Sequence, residues 1–495
     1  MDHLYDVVII GAGVAGCAIA RELSRYRLHM AVLEKESDAG MGISGRNSGV
    51  VHAGFNCTPG TLKAGMCVEG CRRFEAWCRE LGVPYRKTGK LVVALGNEDL
   101  APLQALMDAG VRNGVQDLRI IGPEEMREME PHIGGIAAMT SPWTGVTSPY
   151  ELTIGLAENA HANGVEFYFS HPVTRIRREG NTYRIQAGEQ MFRSRAVVNA
   201  AGLFSDRVAA MIGDDTYTLH PCRGEYYILD KRISALLHRP VYPVPRPGEG
   251  GLGVHLTTTV DGNVLIGPSA EYIEEREDHG TTREVMEQLY QEARQLLPEM
   301  ERKDIIRDYA GIRPKLVGKK VGGFGDFIIR ESDKNPGFVN LIGIESPGLT
   351  SAPLIGEYVA DILGQRLPLA VRPDFQPVRR PPVRFREASD EEKARLIASD
   401  PAYGVIVCRC EEITLREVLD AMNNPLGVRT LTGIKYRTRA MMGRCQGGYC
   451  LPRMVELLQE TMGLAPEEVT LKGPGSELFS GRVKTGTCTC STCST

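Results

Sequence analysis

At 495 residues the chain is too long for one ordinary domain, and its length suits about three. Hydrophobic content of 42% and charged content of 24% read as ordinary soluble globular protein. With 58 basic and 62 acidic residues the net charge is −4, so bulk charge gives no reason to expect nucleic acid as a partner, and an anionic substrate must be met by local cations.

The first apolar run, "DVVII" (6–10), has no basic lead and is followed at once by glycines. It reads as neither a signal peptide nor a membrane span, which makes the expected location cytoplasmic, with any membrane link through a partner. The run is rich in β-branched residues, as a buried parallel strand is. Gly11, Gly13 and Gly16 follow in G-x-G-x-x-G order, and "VAGCAIARELSR" (14–25) carries helical periodicity. A second apolar stretch, "HMAVLEKE", contains Glu34. Strand, glycines, helix and acid together form the dinucleotide fingerprint. Gly11 permits the tight turn, Gly13 the approach of the pyrophosphate, and Gly16 close helix–strand contact, with the phosphates at the helix N-terminus. Glu34 is placed to accept from ribose hydroxyls.

Residues 42–54, "GISGRNSGVVHAG", are small and polar without a regular period. Such a segment can run along a bound cofactor, with backbone, Ser44, Asn47 and Ser48 as polar contacts. "AVVNAAGLFSD" (196–206) is a strand ending at Ala201 and Gly202, a close-approach signal. "CRGEYYILD" (222–230) and "LGVHLTTTVDGNVLIG" (252–267) are aromatic and β-branched, with an Asp-Gly turn at 261–262, and predict strands and a hairpin. "MEQLYQEARQLLPEM" (286–300) predicts an amphipathic helix. "VNLIGIESPGLTSAP" (339–353) predicts a strand, a glycine turn and a helix start at Gly348, Leu349 and Thr350.

On these motifs, together with "PGTLKA" (59–64) and "AGIRPKL" (310–316), residues 5–365 resemble the D-amino-acid-oxidase-like superfamily of FAD enzymes. Within it they resemble two families, FAD-dependent glycerol-3-phosphate dehydrogenase or oxidase and L-2-hydroxyglutarate oxidase or dehydrogenase. The resemblance implies an α/β fold: a Rossmann-like FAD domain (about 1–80, 145–215 and 310–370) interleaved with a mixed antiparallel-sheet substrate domain (about 81–144 and 216–309). To the cofactor contacts above are added Ala15, Lys35, Val173 and Gly311. Hydride transfer from an alcohol to flavin needs a base for the hydroxyl proton, and histidine suits that task near neutral pH. The resemblance makes His52 the catalytic base. His255, on the predicted sheet over the flavin, is a substrate-binding candidate. Arg313 matches the arginine that binds the anionic end of substrate in relatives. Lys315, two residues on along an extended segment, faces the same side, and Arg46 and Arg223 are further cations.

Residues 371–401, "VRPDFQPVRRPPVRFREASDEEKARLIASDP", are proline- and charge-rich and read as a connecting arm with a short helix near 389–398. Beyond it a small α-rich unit (402–480) holds Cys408 and Cys410, then thirty-four residues, then Cys445 and Cys450. Four thiolates can hold zinc or an iron–sulfur cluster. Structural zinc usually takes C-x2-C knuckles, absent here, while glycines and the nearby Lys435, Arg437, Arg439 and Arg444 suit a negatively charged cluster. The segment resembles a bacterioferritin-associated-ferredoxin-type [2Fe–2S] domain, whose cysteines match these four. The resemblance implies a dehydrogenase for a small anionic alcohol, with electrons leaving through the cluster to an acceptor protein, partner subunit or quinone. Glycerol 3-phosphate is the first expected substrate and L-2-hydroxyglutarate the runner-up; an amino-acid or amine dehydrogenase subunit and a purely electron-transferring subunit are the other readings. Of thirteen cysteines, Cys17, Cys57, Cys67, Cys71, Cys78 and Cys222 read as small buried apolar residues. The tail 481–495, with Cys488, Cys490 and Cys493, reads as mobile chain without an assigned role.

Overall fold

The computed structural model describes residues 3–245 and 253–481. It divides into two compact units, residues 1–382 and 383–495. Cys488, Cys490 and Cys493 lie outside the described residues.

In the first unit, Leu4–Ile10 pairs in parallel with Met30–Leu33 on one side and Gln190–Asn199 on the other. Glu166–Tyr168 extends the sheet beside Met30–Leu33, and Phe338–Ile342 joins the far end of Gln190–Asn199, both in parallel. A hairpin, Val173–Glu179 and Thr182–Ala187, completes the edge. The central strands read as continuous apolar runs because both faces are covered. Helices Val14–Leu23, Leu62–Leu81 and Gly348–Gly364 lie together, the last in contact with both others. A Cβ at Gly70 would meet the Thr350 carbonyl oxygen at 2.3 Å. Glycine there lets Leu62–Leu81 close on the start of Gly348–Gly364.

The second sheet runs Glu271–Tyr272, His220–Leu229, Val264–Gly267, His255–Thr258, Val241–Pro243, Leu91–Ala94, Ala137–Thr140, Arg119–Ile121. Ile305–Lys315 pairs antiparallel with His220–Leu229 and sets Arg313 opposite Cys222. The expected hairpin forms, with Thr257 opposite Leu265. The amphipathic helix spans Arg283–Leu296 and buries Met286, Leu289, Ala293 and Leu296 against Leu229, Leu256 and Ile266. Each buried Met or Leu side chain contributes about 1.5–3 kcal/mol by leaving water. The strands of the two sheets alternate along the chain, so loops leaving the first sheet run straight into the second.

The second unit contains helices Asp390–Ser399, Leu415–Met422, Leu431–Thr438 and Leu451–Met462 around a core that includes Val418, Leu431, Met454 and Leu458. The segment read as a connecting arm is tied down at both ends. Arg379 bonds Glu158, and the Pro377 carbonyl accepts from Arg21. From Val383 on the chain belongs to the second unit, where the Phe385 N–H donates to Glu417 and Arg386 to Glu411. Arg379 and Arg386 thus have buried carboxylate partners, while Asp374, Arg380, Asp390 and Glu391 of the same arm are exposed. Among the described residues no helix is long and apolar enough to cross a membrane.

Candidate active site and cysteine centre

The fingerprint forms a tight corner. Gly11 has φ +104°, and a Cβ on it would stand 2.5 Å from the Ala200 carbonyl oxygen. A Cβ on Gly16 would stand 2.0 Å from the Gly11 carbonyl oxygen. Any larger residue at either place must push two strands or a strand and a helix apart. Gly13 starts the helix without a side-chain cap, and Ala15 follows, partly open. The Ser44 hydroxyl accepts from the Val14 N–H at 2.9 Å, which pins residues 42–54 across this helix start. Glu34 accepts the Ala12 N–H at 2.6 Å and the Glu36 N–H at 2.9 Å. Burial pushes its carboxyl up, against the pull of those two amides. Each carboxylate oxygen keeps a second lone pair.

Lys35, in contrast, turns to Glu277 (2.6 Å) and the face of Phe204. Asn47 spans its own loop, donating to the Ile43 and Ser44 carbonyls and accepting from Gly49. The hydroxyls of Tyr226 and Tyr242 face Ser48. Val173 begins the edge hairpin and Ala201 bonds back to Asn199; Gly202, at φ +54°, opens the next turn. A Cβ at Gly311 would lie 2.2 Å from the Arg46 carbonyl oxygen, so this loop and the second sheet touch through bare backbone. Gly348 and Leu349 open a second helix without a side-chain cap. Two uncapped helix starts flanking one polar loop, a corner with no room for a Cβ, and a carboxylate with spare lone pairs fit a dinucleotide.

His52 stands where this loop leaves its short strand, Val50–Val51, which pairs with Gly145–Thr147. Its N–H donates to the Thr350 hydroxyl at 2.9 Å, and its carbonyl accepts from the Cys67 thiol. Its Nε2 lies 3.4 Å from Ser346 Oγ. Burial first, then the charge of Lys90, brings the imidazole down to about 3. His52 is therefore neutral at working pH, with a lone pair to offer but a weak proton affinity that a substrate anion beside it would raise. His255 is buried and donates through Nδ1 to the Gly253 carbonyl at 2.8 Å, which leaves Nε2 as an acceptor. It stacks on Tyr242 at 3.6 Å. Burial, Lys90, His52 and Arg313 all act on it, and the sum holds it well below the usual histidine range. These side chains come from widely separated stretches of sequence and meet in one place.

Arg313 is half-buried and donates to the Ser269 carbonyl, in space that Gly224 leaves open: a Cβ there would lie 2.5 Å from the guanidinium. Lys315 is fully buried, bonded to the Gly323 carbonyl at 2.7 Å and 3.7 Å from Glu345. Glu345 also lies 3.6 Å from Lys63. Arg223 is committed to Glu225 (3.0 Å) and Asp278 (2.6 Å), and Arg46 to the Ala310 carbonyl. The sequence alone did not point to Lys63, Lys90, Tyr242 or Ser346. The "PGTLKA" motif was the one signal near Lys63, and a lysine at the head of the fully apolar "LVVA" strand was the signal for Lys90.

In the second unit, Cys408 and Cys450 are buried while Cys410 and Cys445 are exposed. The thiols face in two pairs, Cys408 with Cys450 and Cys410 with Cys445. Backbone N–H groups of Glu411 and Met441 point at Cys408, and those of Gly447 and Tyr449 at Cys445. Left-handed residues at Glu412, Arg439, Met441 and Gln446 bend the loops so that these amides turn inward. Among the described residues no three ligating side chains converge on a single ion. Two facing thiol pairs with amides aimed at sulfur fit a two-iron centre with four cysteine ligands. Arg439 pairs with the buried Glu411 at 3.0 Å, and Arg437 bonds the Gly433 carbonyl. The six scattered cysteines of the first unit are all buried.

Comparison with known proteins agrees with this geometry. The FAD dependent oxidoreductase family model matches residues 6–362, and the BFD-like [2Fe-2S] binding domain model matches residues 406–460. A glycerol 3-phosphate dehydrogenase of Caloramator mitchellensis is 39% identical over 97% of this chain and 99% of its own length. The mitochondrial L-2-hydroxyglutarate dehydrogenase of Arabidopsis thaliana is 34% identical over 72% of this chain and 83% of its own. Among solved structures, the dithionite-reduced L-alpha-glycerophosphate oxidase of Mycoplasma pneumoniae with FAD bound superposes with a TM-score of 0.71. It shares 28% identity and covers 76% of this chain and 98% of its own. Glycine oxidase of Geobacillus kaustophilus, at 24% identity and a TM-score of 0.66, shares the fold.

Proposed function

The chain belongs to the FAD-dependent oxidoreductase family, with a BFD-like [2Fe–2S] domain at its C-terminal end, and on that premise we propose that it oxidises glycerol 3-phosphate to dihydroxyacetone phosphate. The observation that carries this reading is the likeness to the Caloramator glycerol 3-phosphate dehydrogenase. It runs through 97% of the chain, and so through both units, whereas the likeness to the Arabidopsis L-2-hydroxyglutarate enzyme covers 72%. L-2-hydroxyglutarate is the second reading, favoured by Arg313, whose planar fork suits a carboxylate.

FAD, when bound, supplies the two-electron acceptor for the hydride of the substrate's secondary alcohol. The chain supplies the rest. His52 Nε2 takes the hydroxyl proton, with Ser346 Oγ at 3.4 Å as its neighbour. Arg313 holds the anionic end, and Lys315 behind it adds to the positive field. Gly11, Gly13, Gly16, Glu34, Ser44 and the start of Gly348–Gly364 hold the dinucleotide. Cys408, Cys410, Cys445 and Cys450 would hold a [2Fe–2S] cluster, which would supply one-electron transfer toward a partner protein or quinone.

The deciding experiment is an anaerobic absorbance titration with glycerol 3-phosphate. Bleaching of the oxidised flavin band at stoichiometric substrate supports the reading. An unbleached band that dithionite reduces rejects it, and L-2-hydroxyglutarate is then the next addition. Replacing Arg313 with alanine is expected to raise the substrate's apparent Kd about 30-fold or more, while the limiting rate of flavin reduction falls less. An unchanged Kd in stopped-flow titration removes Arg313 from substrate binding.

The low proton affinity of His52 also fixes the sign of a stability effect. In the unfolded chain a histidine takes up its proton as pH falls through about 6.5, whereas folded His52 waits until about 3. The unfolded state therefore binds more protons between those values, and His52 lowers stability as pH falls through that window. Relative to wild type, His52→Gln is expected to gain thermal stability between pH 7.5 and pH 5. A constant difference in Tm across that range would show that His52 takes up its proton normally.

A further inference from the structure

Buried basic groups in this fold come with partners. Arg21 has Glu80, Asn159 and the Pro377 carbonyl; Arg223 has Glu225 and Asp278; Lys315 has the Gly323 carbonyl and Glu345; Lys63 has Glu345 at 3.6 Å. Lys90 is the exception. It is 2% exposed, and among the described residues it donates no hydrogen bond and has no carboxylate within 4.0 Å. Its ammonium meets ring faces only, Tyr242 at 3.2 Å from the centroid and Phe55 at 5.1 Å. His255 lies 3.6 Å from the same Tyr242 centroid. Two groups that close to one ring centre must occupy its opposite faces, so Lys90, Tyr242 and His255 form one column. The titratable groups facing Lys90 are His52 and His255, which offer no negative charge, and the buried Cys67. Arg313, whose charge also acts on His255, likewise has no carboxylate partner within 4.0 Å among the described residues, only the Ser269 carbonyl.

A buried cation without a counter-charge is costly, and burial holds the Lys90 ammonium well below the usual lysine range, so an anion beside it would strengthen its hold on the proton and supply the missing counter-charge. We propose that Lys90 is an anion anchor of the substrate pocket, acting with Arg313 to select ligands that carry two negative charges, a phosphate monoester or a dicarboxylate. This deepens the reading above and rests on it for the location of the pocket. The ring faces fit the role. They hold the ammonium by cation–π attraction while the site is empty, yet give it no acceptor to satisfy its N–H groups. Monocarboxylate substrates, such as simple amino acids or lactate, leave one of the two cations unpaired and are disfavoured by that desolvation cost.

The test uses the FAD-loaded full-length protein and unreactive probes: inorganic phosphate, glutarate, acetate and uncharged glycerol. Binding is read from Tm and from perturbation of the flavin band. Wild type is expected to respond to phosphate or glutarate well below the concentration of acetate needed, and the stronger of the two distinguishes phosphate monoester from dicarboxylate. Lys90→Met, which replaces the buried charge with an apolar chain of similar size, is expected to weaken that response about 30-fold or more without lowering the Tm of the unliganded protein. Lys90→Arg, which keeps the charge, is expected to retain most of it. Phosphate and glutarate binding within about threefold of wild type in Lys90→Met overturns the proposal. So does a wild type that distinguishes neither probe from acetate. If Lys90→Met does not fold, Lys90→Gln carries the same test. Should glycerol 3-phosphate fail to bleach wild-type flavin while anion binding still depends on Lys90, the substrate reading falls and the anchor stands. If it bleaches both wild type and Lys90→Met with equal affinity, the anchor falls and the substrate reading stands.

Discussion

Substituting His52 by glutamine is expected to slow substrate-driven flavin reduction about 100- to 10,000-fold while FAD stays bound. Glutamine nearly fills the same space, and its side chain can still meet Ser346, but it cannot accept the hydroxyl proton. The backbone contacts that hold residue 52, its N–H to Thr350 and its carbonyl to Cys67, do not depend on the side chain, so the loop against the cofactor keeps its course. Rapid-mixing reduction under anaerobic conditions measures the effect directly, and the flavin absorbance before mixing reports occupancy. The comparison that gives this meaning is His255→Gln. His255 is also neutral, and its Nε2 is also an acceptor. If His52 is the base, His255→Gln should weaken binding more than it slows reduction. The reverse ranking would move the base to His255. Near-normal reduction in both variants would point to oxidation at carbon bonded to nitrogen, which proceeds without a dedicated base.

The two parts of this site were legible to different degrees, for physical reasons. Gly11, Gly13, Gly16 and Glu34 sit within one strand–helix–strand unit, where contacts are local and spacing alone encodes geometry. The C-x-C and C-x4-C motifs are each legible from local spacing, but the facing pairs, Cys408 with Cys450 and Cys410 with Cys445, join the two motifs across the fold. Lys90, Tyr242, His255 and Ser346 lie on four stretches that the second sheet and the helix Gly348–Gly364 bring together. No periodicity carries that information, because sheet order depends on pairing between distant strands. Lys90 in particular looks like an ordinary surface lysine ahead of an apolar strand. Only the meeting of its strand with Val241–Pro243 puts it under Tyr242. Arg313 and Lys315 show the limit of strand parity. They do share a face, as spacing predicts, but Lys315 runs on to the Gly323 carbonyl and Glu345, so equal parity gives unequal access. In the proline-rich arm, Arg379 and Arg386 each reach a buried carboxylate, which the arm's composition alone does not show.

Replacing Cys445 with serine is expected to remove the iron–sulfur centre while leaving substrate-driven flavin reduction within about twofold of wild type. Cys445 is exposed and faces Cys410, with the Gly447 and Tyr449 amides aimed at its sulfur. A serine hydroxyl keeps the loop's size and hydrogen bonding but lacks the low-pKa sulfur that binds iron as a thiolate. The residues proposed to hold the flavin all lie in the first compact unit, where the FAD dependent oxidoreductase model matches, so loss of the centre in the second is expected to leave their fold alone. Iron and sulfide content measures the first half of the prediction, and anaerobic rapid mixing with substrate the second. Cys78→Ser, buried in the first unit, should leave iron content unchanged and controls for a general effect of thiol loss. The informative quantity is then turnover with a one-electron acceptor. If flavin reduction survives but turnover collapses, the four cysteines form the outlet for electrons. That outcome explains why a flavin enzyme carries a second, cysteine-bearing unit. If turnover survives without iron, flavin hands electrons to the acceptor directly and the cluster serves another purpose. Intact iron in the Cys445 variant would mean that the ligand set differs from Cys408, Cys410, Cys445 and Cys450, even though the family model spans all four.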